Sequence, residues 1–244
     1  MSPEDSSLLM ATGQHEERFF PGRCSLAAAW GLVICLTLGL FGAHLWLGEL
    51  NQDEGWYLYA AGEITRGRIP FIDFATTQGP VMPFTYAALY PAVRLWGVAG
   101  GRVVTGVFGL LTLGAGALLA SRLTGSKWRA PAALMAFGLA GVNAYQAYFF
   151  TVVKTYALTG FLLTLGFWVL AAAERKRRAA LFALAGVLTA LAACTRSSAG
   201  FALPVVVLGL VGAAMRERHR RDIAGDSAAD SERTGLWVGA GTFA

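Results

Sequence analysis

The sequence predicts an all-α fold, a polytopic transmembrane helical bundle, and three observations predict it. Hydrophobic residues make up 55% of the 244-residue chain and charged residues only 14%, where a soluble domain carries about a quarter charged. Long apolar stretches recur along the chain, and a bilayer crossing needs roughly 20 mostly apolar residues. The basic residues gather between those stretches, in every second connection, as the positive-inside rule requires. A soluble fold is disfavoured on the same ground, because a chain this poor in charge lacks the polar surface to coat itself in water.

Each element follows in order. Residues 1–24 are polar and mixed in charge and read as a cytoplasmic tail. Ser25–Leu47 is apolar and longer than the hydrophobic part of a signal peptide, so it is the expected first span. Residues 49–100 form a long outer loop with helices of its own. In it, Tyr57, Ala60, Ala61 and Ile64 recur at helical spacing and suit a helix along the membrane surface. Prolines and Arg94 make the following stretch a second surface helix or a shallow re-entrant one rather than a clean crossing. The further spans are expected at Val103–Ala120, Ala130–Ala144, Val152–Ala173, Ala179–Ala193 and Ala199–Met215. Residues 25–215 thus form a membrane domain of about six spans. Residues 216–244 are a polar cytoplasmic segment whose apolar end reads as the start of a further span.

The net charge of +5 reads as topology signals and contacts to anionic headgroups rather than nucleic-acid binding. With the N-terminus inside, the inner clusters are Arg18 and Arg23; Arg122, Lys127 and Arg129; Arg175 to Arg178; and Arg216 to Arg221. Cys24, Cys35 and Cys194 form no CxxC pair and read as small buried hydrophobes. No histidine pair at ligand spacing occurs, and no metal site is expected.

The unusual polar residues at membrane level fall on the opposite, outer side. Asp53 and Glu54 follow the first span, Lys154 stands near the start of the fourth, and Arg196 lies between the last two. Two carboxylates and two cations near one membrane face suit an anionic lipid substrate, and ionisable groups at that depth are functional candidates. Each also has a structural reading. Asn51 and Glu54 match a capping box, Lys154 and Arg196 match anchors snorkelling to lipid phosphate, and Thr77-Gln78-Gly79-Pro80 matches a turn entering a helix.

The segment NQDEGWYLYAAGEITRGRIPFIDFATTQGPVMPFTYAAL resembles the first outer loop of polyprenyl-phosphate-dependent glycosyltransferases of the GT-C superfamily. The dolichyl-phosphate-mannose protein mannosyltransferases and bacterial aminoarabinose transferases are the relatives it looks like. The resemblance lies in Asp53-Glu54, Tyr57 and Tyr59, Gly67–Phe74, Gln78-Gly79-Pro80 and the stretch AACTRSSAGFALP. It covers roughly residues 28–215 and implies the N-terminal portion of a longer, GT-C-like enzyme. It implies transfer of a sugar from a polyprenyl-phosphate donor to a periplasmic or lumenal acceptor, with inversion. Asp53 and Glu54 would be catalytic, Asp53 as the base. Tyr57, Gln78, Lys154 and Arg196 would bind substrate. The lipid-linked sugar is the donor substrate and no cofactor is implied. The expected partners are the polyprenyl-phosphate lipid, the membrane and a glycan, lipid or protein acceptor. Alanine and glycine richness with few lysines suggests a bacterial plasma membrane. Shortness keeps open a non-catalytic relative, a lipid-binding subunit or a transporter fragment.

Overall fold

The structure is a computed structural model that describes residues 23–218 apart from 177, 210, 213 and 217. The expected tail before residue 23 and the segment after residue 218 lie outside the described residues. Within them the elements are helical. α1 spans Arg23–Leu47, α2 Gln52–Thr65, α3 Val81–Ala88, α4 Tyr90–Trp96 and α5 Val98–Leu123. α6 spans Arg129–Gly141, α7 Ala144–Thr151, α8 Thr155–Lys176 and α9 Ala179–Thr195. A 3₁₀ turn at Ser197–Phe201 then opens a last apolar stretch, Ser197–Arg216. Among the described residues no strand occurs, only one isolated bridge between Pro70 and Phe74.

Four helices are long and apolar enough to cross a membrane: Cys24–Leu47, Val98–Leu123, Thr155–Lys176 and Ser197–Arg216. α9 is equally apolar, but its 17 residues extend about 26 Å, just short of a hydrocarbon core of about 30 Å. Large apolar side chains face outward as well as inward, and threonines pack among the buried ones. Leu32, Leu36 and Leu38 of α1 and Val107 and Leu118 of α5 face outward, while Thr37, Thr105, Thr112, Thr155 and Thr189 are buried. Thr105, Thr112 and Thr189 return their hydroxyls to carbonyls four residues back, which lets a polar side chain pack between helices without an orphaned donor. This is the architecture of an integral membrane protein, in which lipid covers the outward leucines. Cys24, Cys35 and Cys194 are exposed on these outward faces, not buried as their apolar surroundings suggested.

The expected span at 130–144 is interrupted. α6 stops at Gly141, and Asn143, with φ −135° and ψ 114°, starts α7 by accepting a hydrogen bond from the Gln146 N–H at 3.1 Å. Together α6 and α7 run alongside α1 in the same direction. Trp30 meets Phe137 edge-on with ring centroids 5.5 Å apart, Thr37 faces Gly141, and His44 meets Tyr148 at 5.9 Å. Phe41, Leu113, Ala147, Phe150 and Ala157 close the core between them. The second span also begins earlier than expected, at Val98, directly after Gly97 with its positive φ of 60°.

The long loop folds onto one end of the bundle. α2 buries Glu54, Leu58, Ala61 and Gly62, and Leu58 and Ala61 pack with Met82 and Tyr86 of α3, Val153, and Leu158 of α8. The end of α2 is fastened by Arg66 and Arg68, which both pair with the buried Glu63. Where one further surface helix was expected, α3 and α4 form two, broken at Leu89 before Pro91 near the start of α4.

Candidate functional site

The site is built from the start of α2. Asn51 holds an extended backbone, and its side-chain oxygen accepts from the Asp53 N–H at 3.0 Å. The Asn51 N–H in turn donates to Glu54 Oε2 at 3.0 Å, which completes a capping box. Glu54 is 1% exposed. Arg102 Nε donates to its Oε1 at 2.8 Å and Arg102 Nη2 to its Oε2 at 2.7 Å. The Val153 N–H reaches the same Oε1 at 3.1 Å. The remaining Arg102 donors satisfy the carbonyls of Gly48 at 2.9 Å and Glu49 at 2.7 Å. One carboxylate and one guanidinium therefore join the end of α1, the start of α2, the start of α5 and the residues leading into α8. Burial pushes the Glu54 carboxyl up, but the Arg102 hydrogen bonds, the Asn51 and Val153 N–H groups and the Arg102 charge outweigh it and leave it below the usual carboxylate range.

Beside that knot, Gln52, Asp53 and Gly55 of α2 and Lys154 before α8 face a cavity of about 660 Å³. Asp53 follows the cap and Lys154 follows Val153. Lys154 Nζ pairs with Asp53 Oδ2 at 2.8 Å. Partial burial disfavours the Lys154 charge, yet the bond and charge of Asp53 outweigh it and hold the ammonium above its ordinary value. Arg196 follows the last residue of α9 and bends back across the cavity. Its Nη1 donates to Thr155 Oγ1 at 3.1 Å, its Nε to Ser198 Oγ at 3.0 Å, and its plane lies 4.3 Å from the Tyr156 ring centre. Burial raises the Tyr57 phenol above its ordinary value, although a hydrogen bond with Thr77 works against this. Gln78 enters from the loop before α3, and its amide oxygen is buried with no protein partner. Gly79 allows that approach, because a Cβ there would run into the Cys194 carbonyl.

A second, aromatic groove of about 450 Å³ shares Tyr156 and Arg196 with this cavity. Its wall sets Tyr145 edge-on to Phe149 at 4.8 Å and Phe149 edge-on to Tyr156 at 4.7 Å. An apolar chain in the groove can therefore bring a charged head to Arg196.

Asp53, Tyr57, Gln78, Lys154 and Arg196 all line the cavity. Glu54, expected beside Asp53 as a catalytic carboxylate, does not. Adjacent helical residues point about 100° apart, so with Asp53 facing the cavity Glu54 faces inward. It is a positioning residue whose oxygens are taken by Arg102, Asn51 and Val153. Among the described residues no group of three or more metal-type ligands occurs.

Compared with known protein families, curated proteins and solved structures, the chain matches none.

Sequence reasoning missed Arg102, Thr155 and Tyr156. Arg102 was legible only as a lone cation opening an apolar run, GGRVV. Thr155 and Tyr156 stand directly after Lys154, on the first turn of α8, and helical placement of Lys154 would have pointed to them.

Proposed function

We propose that this chain carries the donor site of a membrane glycosyltransferase that moves a sugar from a polyprenyl-phosphate to an acceptor outside the cytoplasm. The observation that carries the reading is the gathering of Asp53, Lys154 and Arg196 around one cavity that shares Tyr156 and Arg196 with an aromatic groove. A lipid-linked sugar has three chemical parts, and the arrangement suits each. The isoprenoid tail suits the groove of Phe149 and Tyr156. The phosphate suits Arg196, whose planar fork grips two oxygens, with Lys154 as a second cation. The sugar suits the cavity, where the unpartnered Gln78 oxygen accepts from a hydroxyl.

In the reaction an acceptor hydroxyl or amine attacks the anomeric carbon while its proton passes to Asp53. The bond from that carbon to the phosphate oxygen breaks, and the phosphate leaves with the electron pair. Arg196 and Lys154 stabilise the charge it gains. Attack opposite to departure inverts the sugar carbon. The Asp53–Lys154 pair fits this order, since an arriving phosphate offers Lys154 a new partner and frees the Asp53 oxygen. The positive-inside rule places the N-terminus in the cytoplasm and the cavity on the far face, and the composition suits a bacterial plasma membrane.

A lipid-phosphate-binding membrane subunit without catalysis is the second reading. The closed Asp53–Lys154 ion pair at 2.8 Å favours it, because it occupies the one carboxylate in the cavity lining among the described residues. Photo-crosslinking with a polyprenyl-phosphate analogue tests the lipid step that both readings share. Labelling of α7 and α8 that falls at least tenfold in Arg196→Ala, at equal protein level, supports it. Unchanged labelling leaves Arg196 a snorkelling anchor and removes the donor site.

A further inference from the structure

At the opposite end of α8 the fold builds a second charged cavity. α8 has 22 residues and so extends about 33 Å, roughly one bilayer core. Its first turn faces the candidate site. Its last turn, with the end of α5 and the start of α6, encloses a cavity of about 220 Å³ lined by Ser121, Arg122, Arg129, Arg175 and Lys176. Four cations from three helices thus share one small space with no carboxylate in its lining. Among the described residues none of the four has an ion-pair partner; Glu174, the acidic neighbour, pairs instead with Arg216 at 3.3 Å.

Topology signals need only reside in the right connection; they need not converge. Arg122 is also held in place. It is half-buried, with its guanidinium 4.0 Å from the ring centre of Trp168, which fixes the plane of its donors. The indole N–H of Trp168 is buried without a protein partner, although Trp168 is not itself in the cavity lining. Helix C-termini offset part of the cationic repulsion. The cavity is smaller than typical sites for drug-sized ligands, about 300 Å³ and upward. It suits a headgroup and not a whole lipid-linked sugar.

We infer that this cavity binds the phosphate of an anionic lipid headgroup, held by Arg122 and Arg175 with Arg129 and Lys176 completing the charge. It is separate from the donor site by the length of α8. The lipid tails would lie along the outward apolar faces of α5, where Leu118 and Leu123 are exposed. Recognition is through phosphate, which a free phosphate ion shares.

The test uses the full chain in neutral phosphatidylcholine nanodiscs doped with a photoactivatable phosphatidylglycerol. Crosslinked peptides should concentrate in residues 121–129 and 172–176. The double variant Arg122→Gln/Arg175→Gln should lower that labelling about tenfold or more, since each cation near anionic lipid contributes several-fold. Arg94→Gln, a cation on α4 far from the cavity, should leave it unchanged. If the double variant does not fold, the exposed Arg175→Gln alone should lower labelling about threefold. An excess of inorganic phosphate at matched ionic strength separates the sources. Loss of labelling assigns the site to phosphate of any origin, and retention assigns it to the membrane-borne headgroup. Labelling spread evenly over all basic segments, or unmoved by either variant, would overturn the inference and leave the four cations as diffuse topology charge.

Discussion

Glu54 Oε1 accepts the backbone N–H of Val153 at 3.1 Å across 99 residues of chain. Asp53, which precedes Glu54, and Lys154, which follows Val153, form the ion pair of the candidate site. Arg102 holds the same carboxylate through two bonds. The position of the cavity-lining pair therefore depends on the buried one.

Glu54→Gln should destabilise the protein even though it keeps the shape. The amide turns one acceptor oxygen into a donor that must face Arg102 together with either the Asn51 or the Val153 N–H, all of which donate. Removing one partner of a buried pair costs about 3–5 kcal/mol, and thermal or denaturant unfolding in detergent should read a loss on that scale. Arg102→Met should cost a similar amount, and Glu54→Gln/Arg102→Met less than the sum. Additive losses would mean that the two side chains act independently.

The same knot sets an acid limit. The folded carboxyl of Glu54 sits below its ordinary value, so the unfolded chain binds more protons in that range. The stability it contributes is fully present above the ordinary carboxylate value and drains as pH falls through the folded value. Unfolding scans at falling pH should show a drop below that ordinary value that Glu54→Gln lacks. Parallel pH curves for parent and variant would contradict this.

How much of this was legible depends on the range of the interaction. The NQDE run carries its capping box within four residues, and the structure forms it as written. Asp53, Lys154 and Arg196 fall at one end because apolar stretch lengths set which connections share a face. Arg102 is 48 residues from Glu54, and no local pattern announces such a pair. The break at Val142 and Asn143 was hidden by the apolar run around it, although Asn143 followed by Gln146 is a helix-start pattern. The inward turn of Glu54 follows from the helical period alone, but only once one neighbour's direction is known.

Gly79→Ala should damage the site without touching a polar group. The added Cβ meets the Cys194 carbonyl, and backbone cannot yield as a flexible side chain does. The Thr77–Gln78 segment must then withdraw from the end of α9. Polyprenyl-phosphate crosslinking should fall and proteolysis within residues 75–80 should rise. Wild-type behaviour in both would place the loop away from α9.

Orientation is testable by accessibility. With Cys24, Cys35 and Cys194 replaced by serine, single cysteines at Ala75 and Ala180, both exposed, should respond oppositely to a membrane-impermeant thiol reagent in intact cells. Ala75 is expected to label and Ala180 to stay protected. The reverse pattern would invert the topology and put the cavity in the cytoplasm.

Lys154→Met separates a structural ion pair from a catalytic one. Asp53 is more than half exposed, with a side-chain accessibility of 57%, so solvent screens the pair and its loss should cost less than about 1 kcal/mol. If Lys154 assists phosphate departure, sugar transfer should fall at least tenfold at nearly unchanged stability. A transfer loss that tracks a stability loss would make the pair structural.

Asp53 carries the proposed reaction most directly. Asp53→Asn keeps the size and the local hydrogen bonding at the helix start but cannot take a proton. Transfer of a labelled sugar from a polyprenyl-phosphate donor would be measured for both proteins in proteoliposomes. A base role for Asp53 predicts a rate lower by roughly 10²–10⁴-fold for the variant, at equal stability and equal lipid crosslinking. Transfer at the parental rate, or none by the parent protein itself, would contradict it.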